Sequence, residues 1–486
     1  IFVGLPFEKD GKLYNVAAAV QDGRILGLVP KQNIPNYGEF YEVRHFAAGS
    51  REVSEVDVLG QTVPFGGNLL FSCRNLKGLV VGCELCEDVW VMDPPSTALA
   101  KAGATVIVNL SASNETVGKD TYRKSLIAAT SARLLCSYVY ASAGDGESTQ
   151  DLVFSGHHMI AENGSVLAEA ARFENETIFS ELDIHKICHE RRRMSTFVPE
   201  NTETCVRIGF TLEKEETKLT RTFAQMPFVP SDETLKKERC EQILSIQAQG
   251  LKKRYGHTGA KTAVIGVSGG LDSTLALLVT ARAFDLLGKD RNDILAVTMP
   301  CFGTTNRTYE NACRLAQTLG AKLIEVNIRE AVQVHFRDIG QDMDKHDVTY
   351  ENGQARERTQ VLMDLANQSN GLVIGTGDMS ELALGWATYN GDHMSMYGVN
   401  VGVPKTLVRH LVAYCANTCS ESEKVLQEVL LDVLDTPVSP ELLPPEDGKI
   451  SQKTEDLVGP YELHDFFLYQ LLRCGFGPAK IYRLAC

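Results

Sequence analysis

Residues 263–287 read AVIGVSGGLDSTLALLVTARAFDLL. The apolar run 263–267 predicts a buried strand of a parallel sheet, and the Leu/Ala-rich run 274–287 predicts a helix. The glycines between them let the backbone close around an anion, while the helix start offers unpaired N–H groups and a positive dipole end. Ser268 and Ser273 add hydroxyl donors. This strand, loop and helix predict a phosphate-binding site and therefore a nucleotide.

Asp272 lies in the same loop and predicts a metal ion as well. A carboxylate repels bound phosphate unless a divalent cation lies between them. The alternative is an ordinary Gly-rich turn with a capping Ser and Asp. No Gly-Lys-Ser/Thr follows the strand, so the loop is not of the Walker type. It resembles the PP-loop of the ATP pyrophosphatases, which cleave ATP between the α and β phosphates, and this implies ATP and Mg²⁺.

Composition bounds the class of protein. A chain of 486 residues is long enough for two domains, each with its own core. The net charge of −14 argues against a nucleic-acid binder, which would carry a basic surface. Thirteen cysteines in so long a chain indicate reduced thiols, and no apolar run reaches membrane-spanning length. We therefore expect a cytoplasmic enzyme that binds neither nucleic acid nor membrane.

The pattern along the chain predicts two domains joined by a linker. Residues 1–212 show short strands separated by Gly, Asn and Pro turns, as in a β-rich α/β domain. Residues 213–235 are polar, contain two prolines and lose periodicity, so we predict a linker there. Residues 236–486 alternate strands and helices, which predicts a doubly wound parallel sheet. Because the chain opens on an apolar strand without Met, and stops soon after Lys480, we expect the natural protein to continue at both ends.

Three polar clusters follow the phosphate loop. They are residues 351–358, with an Asn, a Gln and two arginines; residues 375–381, with hydroxyls and two acids after a strand; and residues 389–393, a Gly turn with an acid. Ligands of a parallel sheet gather at the carboxyl ends of its strands, so such clusters are candidate binding loops. Each one alone could equally be a turn or a solvated helix face.

Taken together, these clusters resemble the ammonia-ligating NAD synthetases across most of this half. The resemblance implies ATP contacts from Ser268, Gly269, Gly270, Asp272, Ser273 and Thr376. It implies that deamido-NAD is contacted by Asn352, Arg356, Arg358 and Asp392, and that Lys405 lies on the pyrophosphate oxygens. It places Mg²⁺ on Asp272 and Glu381. The carboxylate of deamido-NAD would first become an acyl-adenylate, from which ammonia displaces AMP.

In the first half, Cys86 directly follows a predicted strand, where a sharp turn would expose its thiol as in a nucleophile elbow. The Cys83-x-x-Cys86 spacing could also indicate a redox or zinc site, but no second pair with matching spacing exists. We interpret Cys83 as a buried structural residue. Lys31, just past another strand, is a candidate activator of the thiol; alone, it would be taken for a surface lysine.

The motifs at residues 29–31, 37–42, 86–88 and 109–113 resemble the nitrilase-type glutaminase domain. The resemblance implies an α-β-β-α sandwich, with Cys86 as nucleophile and Lys31 stabilising the oxyanion. It implies that glutamine is held by Tyr37, Glu87 and Ser113, with Glu42 as a supporting acid. The glutamate base of that family lies further upstream of its lysine than this chain extends.

A glutaminase fused to a PP-loop ligase resembles the family of glutamine-dependent NAD synthetases. It implies amidation of deamido-NAD with ammonia from glutamine, giving NAD, AMP, pyrophosphate and glutamate, in a homo-oligomer. Two alternatives stay open: another PP-loop amidoligase, such as a tRNA-modifying or GMP-forming enzyme, and a non-catalytic nucleotide-binding descendant.

Overall fold

The computed structural model describes residues 1–147, 152–200, 204–213, 215, 217–439, 442–444 and 454–486. The described chain divides into two compact units: unit 1 is residues 1–222 with 474–476, and unit 2 is residues 223–473 with 477–486. Lys214 and Glu216, in the predicted linker, lie outside the described residues. The domain boundaries at 212 and 236 stay predictions.

Unit 1 contains two sheets. The five-stranded sheet has the order β1-β2-β3-β5-β4 and comprises β1 (Phe2–Lys9), β2 (Lys12–Gln21), β3 (Arg24–Pro30), β4 (Ser54–Val58) and β5 (Gln61–Phe65). The seven-stranded sheet has the order β11-β10-β9-β8-β7-β6-β12 and comprises β6 (Leu69–Cys73), β7 (Val80–Leu85), β8 (Val106–Ser111), β9 (Ser137–Ser142), β10 (Met159–Glu162), β11 (Ser165–Glu169) and β12 (Val206–Phe210). Its helices are α1 (Pro95–Lys101), α2 (Lys119–Arg133) and α3 (Ile184–Arg193).

The layers of unit 1 follow from alternating side chains on the strands. Ala17 and Val29 of the smaller sheet share a buried cluster with Leu85 of the larger sheet, so the two sheets pack face to face. The opposite face of the larger sheet packs on α1 and α2 through residues such as Leu99 and Ile127. This layering is that of a nitrilase-like domain and gives three layers of the predicted α-β-β-α sandwich; in the described residues, the buried cluster on the outer face of the smaller sheet contains strand residues only. It brings the carboxyl ends of β3 and β7 to neighbouring positions, since these strands pack together.

Unit 2 is built on one parallel sheet with the order β15-β14-β13-β16-β17. Its strands are β13 (Ala263–Gly266), β14 (Ile294–Thr298), β15 (Lys322–Glu325), β16 (Leu372–Gly375) and β17 (Tyr397–Gly398). Its helices are α4 (Glu233–Thr258), α5 (Leu271–Leu287), α6 (Asn306–Thr318), α7 (Arg329–Ile339), α8 (Val348–Gln368), α9 (Met379–Leu384), α10 (Lys405–Asn417), α11 (Lys424–Leu434), α12 (Thr454–Val458), α13 (Tyr461–Leu468) and α14 (Pro478–Ala485). The predicted doubly wound parallel sheet is confirmed.

The sheet order reverses between β13 and β16, which places the ligand crevice at their carboxyl ends. Two element boundaries differ from the sequence prediction. α5 begins at Leu271 rather than Thr274, because an acid such as Asp272 is favourable in a first helical turn. Glu381 belongs to α9 rather than to a loop, because the Asp378 side chain caps that helix by accepting from Glu381 N. No helix in the described parts of the chain combines the length and apolar character needed to cross a membrane.

Candidate active sites

The loop after β13 turns tightly over the start of α5. Gly269 has φ +82°, and a Cβ atom there would lie 2.1 Å from the backbone oxygen of Thr308, so glycine is required. Ser268 Oγ accepts a hydrogen bond from Gly270 N at 3.2 Å and lies 3.2 Å from Ser273 Oγ. Gly270 is the N-cap of α5 and brings no side chain to its first N–H groups. The loop therefore offers hydroxyls and helix N–H groups to an anion.

A cavity of about 230 Å³ opens at the carboxyl ends of β13 and β16. The predicted residues that line it are Ser268, Asp272, Ser273, Arg358, Thr376, Glu381 and Asp392. Apolar side chains, among them Met299, Leu362 and Trp386, complete its walls. The combination of apolar walls with hydroxyls, acids and an arginine suits a nucleotide, whose base is flat and apolar and whose phosphates are charged.

Lys405 lies at the centre of a cluster of acids. Its Nζ is 2.7 Å from Asp272 Oδ2, 2.8 Å from Asp378 Oδ2 and 2.9 Å from Glu381 Oε1, and the residue is only 3% exposed. The sequence analysis includes Asp378 among the two acids of the loop 375–381 but assigns only Glu381 to the metal. The available signal was its place three residues before Glu381 at the end of a buried strand.

The electrostatics of this acid cluster are strongly perturbed. Burial would lower the pKa of Lys405, but the three carboxylates outweigh it and hold that pKa well above its usual value. Burial, together with repulsion from Asp272, raises the pKa values of Asp378 and Glu381, although Lys405 opposes the change. One ammonium thus faces three carboxylates, which leaves the cluster deficient in positive charge when all are ionised.

The same acids fit a divalent cation. Each of Asp272, Asp378 and Glu381 has one carboxylate oxygen that lies within 4.8 Å of the corresponding oxygens of the other two. Asp272 Oδ1 is buried and makes no hydrogen bond, and Asp378 Oδ2, although close to Lys405 Nζ, is not in hydrogen-bonding geometry. Carboxylate oxygens with unused lone pairs are the ligands that Mg²⁺ prefers. The donor set therefore fits the predicted metal, with Asp378 as an additional ligand.

Three of the residues predicted to bind deamido-NAD lie around Thr388. Thr388 Oγ1 donates to Asn352 Oδ1 at 2.8 Å, and Thr388 N donates to Asp392 Oδ1 at 2.7 Å. Arg356 Nε donates to the backbone oxygen of Tyr389 at 3.1 Å. Burial raises the pKa of Asp392. The predicted residues of α8 and of the turn at 389–393 are therefore brought together by the fold.

In unit 1, Cys86 lies at a strained turn directly after β7. Its φ is +43°, a region that non-glycine residues rarely adopt, and a 3-10 turn over Cys86–Val89 follows. Its backbone N–H donates to Asn109 Oδ1 at 3.0 Å. Cys86 is half-buried, whereas Cys83 is fully buried in the core, as predicted for a structural residue. The predicted sharp turn after the strand is confirmed.

Lys31 follows β3 and is only 3% exposed, which rules out a plain surface lysine. Its Nζ forms an ion pair with Glu42 Oε2, and Asn15 Nδ2 donates to Glu42 Oε1 at 2.8 Å. Asp88 accepts from Asn33 N at 2.8 Å and so ties the loop after β3 to the turn after β7. The buried lysine and the cysteine turn therefore belong to one connected structure.

The residues predicted to hold glutamine lie nearby. Tyr37 OH donates to Glu87 Oε1 at 2.7 Å. Burial is the larger cause, and this hydrogen bond the smaller one, that raises the pKa of Tyr37 to about 12. Ser113 is buried after β8. Sequence reasoning missed Lys119, whose Nζ lies 5.5 Å from the Trp90 ring centre. Burial lowers the pKa of Lys119, although the nearby Cys86 opposes this change.

A buried polar network lies behind Cys86. Tyr138 OH donates to Glu84 Oε1 at 2.5 Å, and Asn109 Nδ2 donates to Tyr138 OH at 3.0 Å. Because Asn109 also accepts from Cys86 N, the network supports the strained turn. Burial raises the pKa of Glu84 to about 7, although hydrogen bonds from Tyr138 and Ser96 oppose this. Sequence patterns could not reveal the network, because its members come from three strands.

Comparison with known proteins assigns a family to each half. Residues 1–191 match the carbon-nitrogen hydrolase family, and residues 243–471 match the NAD synthase family. The structure of a glutamine-dependent NAD+ synthetase from Acinetobacter baumannii in complex with ADP is similar to this chain, with 24% sequence identity and a TM-score of 0.38. The match covers 99% of this chain and 75% of the Acinetobacter chain.

Whole-chain relatives give the stronger result. The glutamine-dependent NAD(+) synthetase of Mycobacterium leprae is 44% identical over 497 residues, which cover 99% of this chain and 73% of the relative. The one from Thermotoga maritima is 30% identical over 486 residues, covering 98% of this chain and 75% of the relative. The matched residues include both units. This chain therefore belongs to the family of glutamine-dependent NAD(+) synthetases.

Proposed function

We propose that this chain amidates deamido-NAD to NAD with ATP and with ammonia released from glutamine, giving AMP, pyrophosphate and glutamate. The observation that carries the proposal is that one chain holds both a buried lysine beside a cysteine turn and a phosphate loop beside a lysine-centred acid cluster. The first centre suits release of ammonia from an amide, and the second suits activation of a carboxylate.

In unit 1, the Cys86 thiolate attacks the side-chain amide of glutamine, and the buried Lys31 ammonium stabilises the oxyanion that forms. Ammonia leaves, and water then hydrolyses the thioester to glutamate. Glu42 holds the lysine through their ion pair. Tyr37, Glu87 and Ser113 bind glutamine, and the hydrogen bond between Tyr37 and Glu87 fixes the geometry of that subsite.

In unit 2, ATP occupies the cavity at the ends of β13 and β16. Its phosphates lie against Ser268, Gly269, Gly270 and Ser273, and Thr376 also contacts ATP. Asn352, Arg356, Arg358 and Asp392 bind deamido-NAD. The carboxylate of deamido-NAD attacks the α-phosphorus, the bond between the α-phosphorus and the bridging oxygen breaks, and pyrophosphate leaves with its charge compensated by Lys405. Ammonia then attacks the acyl carbon, and AMP leaves.

The proposed metal is Mg²⁺, held by Asp272, Asp378 and Glu381. When bound, it would neutralise phosphate charge. The acids themselves hold Lys405 in place through the three ion pairs. We also propose a homo-oligomer, which analytical ultracentrifugation would test, and a cytoplasmic location, which the thirteen cysteines support because none of them forms a disulfide in the described residues.

The acyl-adenylate is tested by isotope transfer. Deamido-NAD labelled with ¹⁸O in its nicotinate carboxylate is incubated with the natural full-length protein, ATP, Mg²⁺ and ammonium chloride. One labelled oxygen should appear in AMP, because the carboxylate oxygen bonded to phosphorus stays with AMP when ammonia displaces it. Unlabelled AMP would exclude this intermediate.

The reaction itself distinguishes the alternatives left open by the sequence. The 44% identity to an NAD(+) synthetase over nearly the whole chain favours the present proposal over another amidoligase or a non-catalytic descendant. AMP release should depend on deamido-NAD and not on xanthosine monophosphate or tRNA. AMP release triggered by either of the latter would instead identify another PP-loop ligase, and binding of ATP without turnover would identify a non-catalytic protein.

A further inference from the structure

The N-terminus of α10 carries Lys405 but lacks a cap of its own. The N-cap residue is Pro404, which makes no side-chain hydrogen bond to the helix. The first N–H groups of any helix have no partner within the helix and must find one elsewhere when buried. Lys405 N donates to Ser380 Oγ at 2.9 Å, and Thr406 N donates to Asp465 Oδ2 at 2.8 Å. Both acceptors come from other helices.

Asp465 joins these two contacts into one network. It lies on α13 with no exposed surface. Its Oδ2 accepts from Thr406 Oγ1 at 2.6 Å as well as from Thr406 N, and its Oδ1 accepts from Ser380 Oγ at 2.5 Å. Ser380 belongs to α9, which also carries Glu381. A single carboxylate therefore connects the helix that bears Lys405 to the helix that bears an acid partner of Lys405.

A second residue of α13 contacts the lysine directly. The ring centre of Tyr461 lies 5.2 Å from Lys405 Nζ, within the range of a cation–π interaction. Tyr461 and Asp465 are four residues apart, so both lie on the same face of α13. This face thus contacts the Lys405 ammonium through Tyr461 and the backbone of the next residue, Thr406, through Asp465.

We propose that Asp465 is a positioning residue for the amidation of deamido-NAD, acting through Lys405, and that Ser380 transmits its effect to α9. The inference rests on the proposed function of unit 2. Asp465 touches neither phosphate nor metal; it fixes the first turn of α10, from which the ammonium reaches the acid cluster. Displacement of a charge-compensating group by about 1 Å can cost about 10²-fold in rate. An asparagine at 465 would present an NH₂ group to one of the donors and so break one side of the network.

The test is a double-mutant cycle on ammonium-dependent NAD formation in the natural full-length protein. Asp465→Asn should lower kcat by about 10²-fold while the KM for ATP changes by less than about threefold. The misplaced ammonium weakens stabilisation of the transition state, where charge develops on the phosphates, more than it weakens ATP binding. In a Lys405→Met background, Asp465→Asn should cause no further loss. If Asp465→Asn lowered kcat by the same factor with Lys405 and in the Lys405→Met background, the proposal would be overturned, since a merely structural role does not depend on Lys405.

Ser380→Ala provides a second variant that keeps the carboxylate. It should lower kcat by about 5-fold to 30-fold, the effect of losing the two hydrogen bonds of Ser380 Oγ, and again only when Lys405 is present. Glu241→Gln is the matched control, because Glu241 also links two helices of unit 2, through Arg282 at 2.8 Å, but lies away from the cluster. It should leave kcat unchanged. An equal loss in Glu241→Gln and Ser380→Ala would count against the proposal.

A measurement without turnover separates this inference from the proposed function. Amide hydrogen exchange at residues 405–408 should be faster in Asp465→Asn than in the unmodified protein, because Thr406 N loses its acceptor. Unchanged exchange there would refute the positioning role even if the enzyme amidates deamido-NAD. Absence of amidation by the unmodified protein, with faster exchange in the variant, would refute the proposed function while leaving the structural link intact.

Discussion

Each unit buries a lysine against acids, but the charge around the two lysines differs. Lys31 and Lys405 are each 3% exposed. Among the described residues, Lys31 forms an ion pair with Glu42, whereas Lys405 forms ion pairs with three carboxylates. The first pair carries no net charge. The second cluster carries excess negative charge when all three acids are ionised, and this is why we propose a divalent cation there.

The difference teaches that a buried lysine alone does not indicate a function. Both lysines follow short apolar runs and look alike in sequence. One carboxylate is ion-paired with Lys31 and three are ion-paired with Lys405, so packing rather than the local sequence sets the charge around each ammonium.

The largest effect should come from Cys86→Ala. It should abolish glutamine-supported NAD formation, a loss of about 10⁴-fold or more, because no nucleophile remains. Activity with ammonium chloride should be retained, since the synthetase centre is in the other unit. Steady-state assays of the natural full-length protein with each nitrogen donor measure this. Cys83→Ala is the control, with near-normal activity expected; equal loss with both donors would show that the two centres are not separate.

The acids of unit 2 should show the opposite pattern. Asp272→Asn, Asp378→Asn and Glu381→Gln should each lower NAD formation by about 10²-fold or more with either nitrogen donor, because phosphate charge is left uncompensated. Each should also raise the Mg²⁺ concentration needed for half-maximal rate. Asp285→Asn is the control, since its carboxylate pairs with Arg291 at 2.6 Å away from the cluster. Normal Mg²⁺ dependence in all three variants would refute the metal assignment.

Unit 1 should become less stable as pH rises, because of Glu84. Its folded-state pKa of about 7 lies above the usual 4.5, so the folded state retains a proton that the unfolded state releases. This stabilisation is complete below about pH 4.5 and is lost as pH rises to about 7. The free energy of unfolding falls by about 3 kcal/mol over this range. Glu84→Gln should remove the slope between pH 5 and 7. Urea unfolding followed by Trp90 fluorescence, in a Trp386→Phe background, reports on unit 1 alone.

Glu169→Gln serves as the control of opposite sign. Burial would raise the pKa of Glu169, but hydrogen bonds from Lys124 and His157 lower it overall. Its contribution is therefore present above about pH 4.5 and is lost on acidification. This variant should leave the slope between pH 5 and 7 unchanged. An unchanged slope in Glu84→Gln would show that Glu84 is not the group that titrates.

The smallest effect should come from Tyr37→Phe. The change removes the hydrogen bond to Glu87, worth about 1 kcal/mol, so the KM for glutamine should rise by about fivefold with little change in kcat. The KM for ammonium should not change. Glutaminase kinetics followed by glutamate release measure this. A larger fall in kcat than rise in KM would place Tyr37 among the catalytic groups instead.

The sequence by itself determined the main elements and several of the residues that line the cavity of unit 2. The run 263–287 specifies strand, phosphate loop and helix, because an apolar run, a pair of glycines and a Leu/Ala-rich run are signals that lie next to one another along the chain. Alternating strands and helices beyond it specify the parallel sheet, whose topology brings Ser268 and Thr376 to one edge. In unit 1, Cys86 was identified because it follows an apolar strand directly, where a turn must occur.

Only the tertiary structure revealed Asp378 as a partner of Lys405, the network from Glu84 to Cys86, and the link from Asp465 to α10. The contact between Thr406 and Asp465 joins residues 59 positions apart. No local pattern encodes such a contact, because it exists only once separate helices pack together. The charge around each buried lysine was likewise decided by packing, since the acids that surround Lys405 come from two elements that adjoin only in the folded chain.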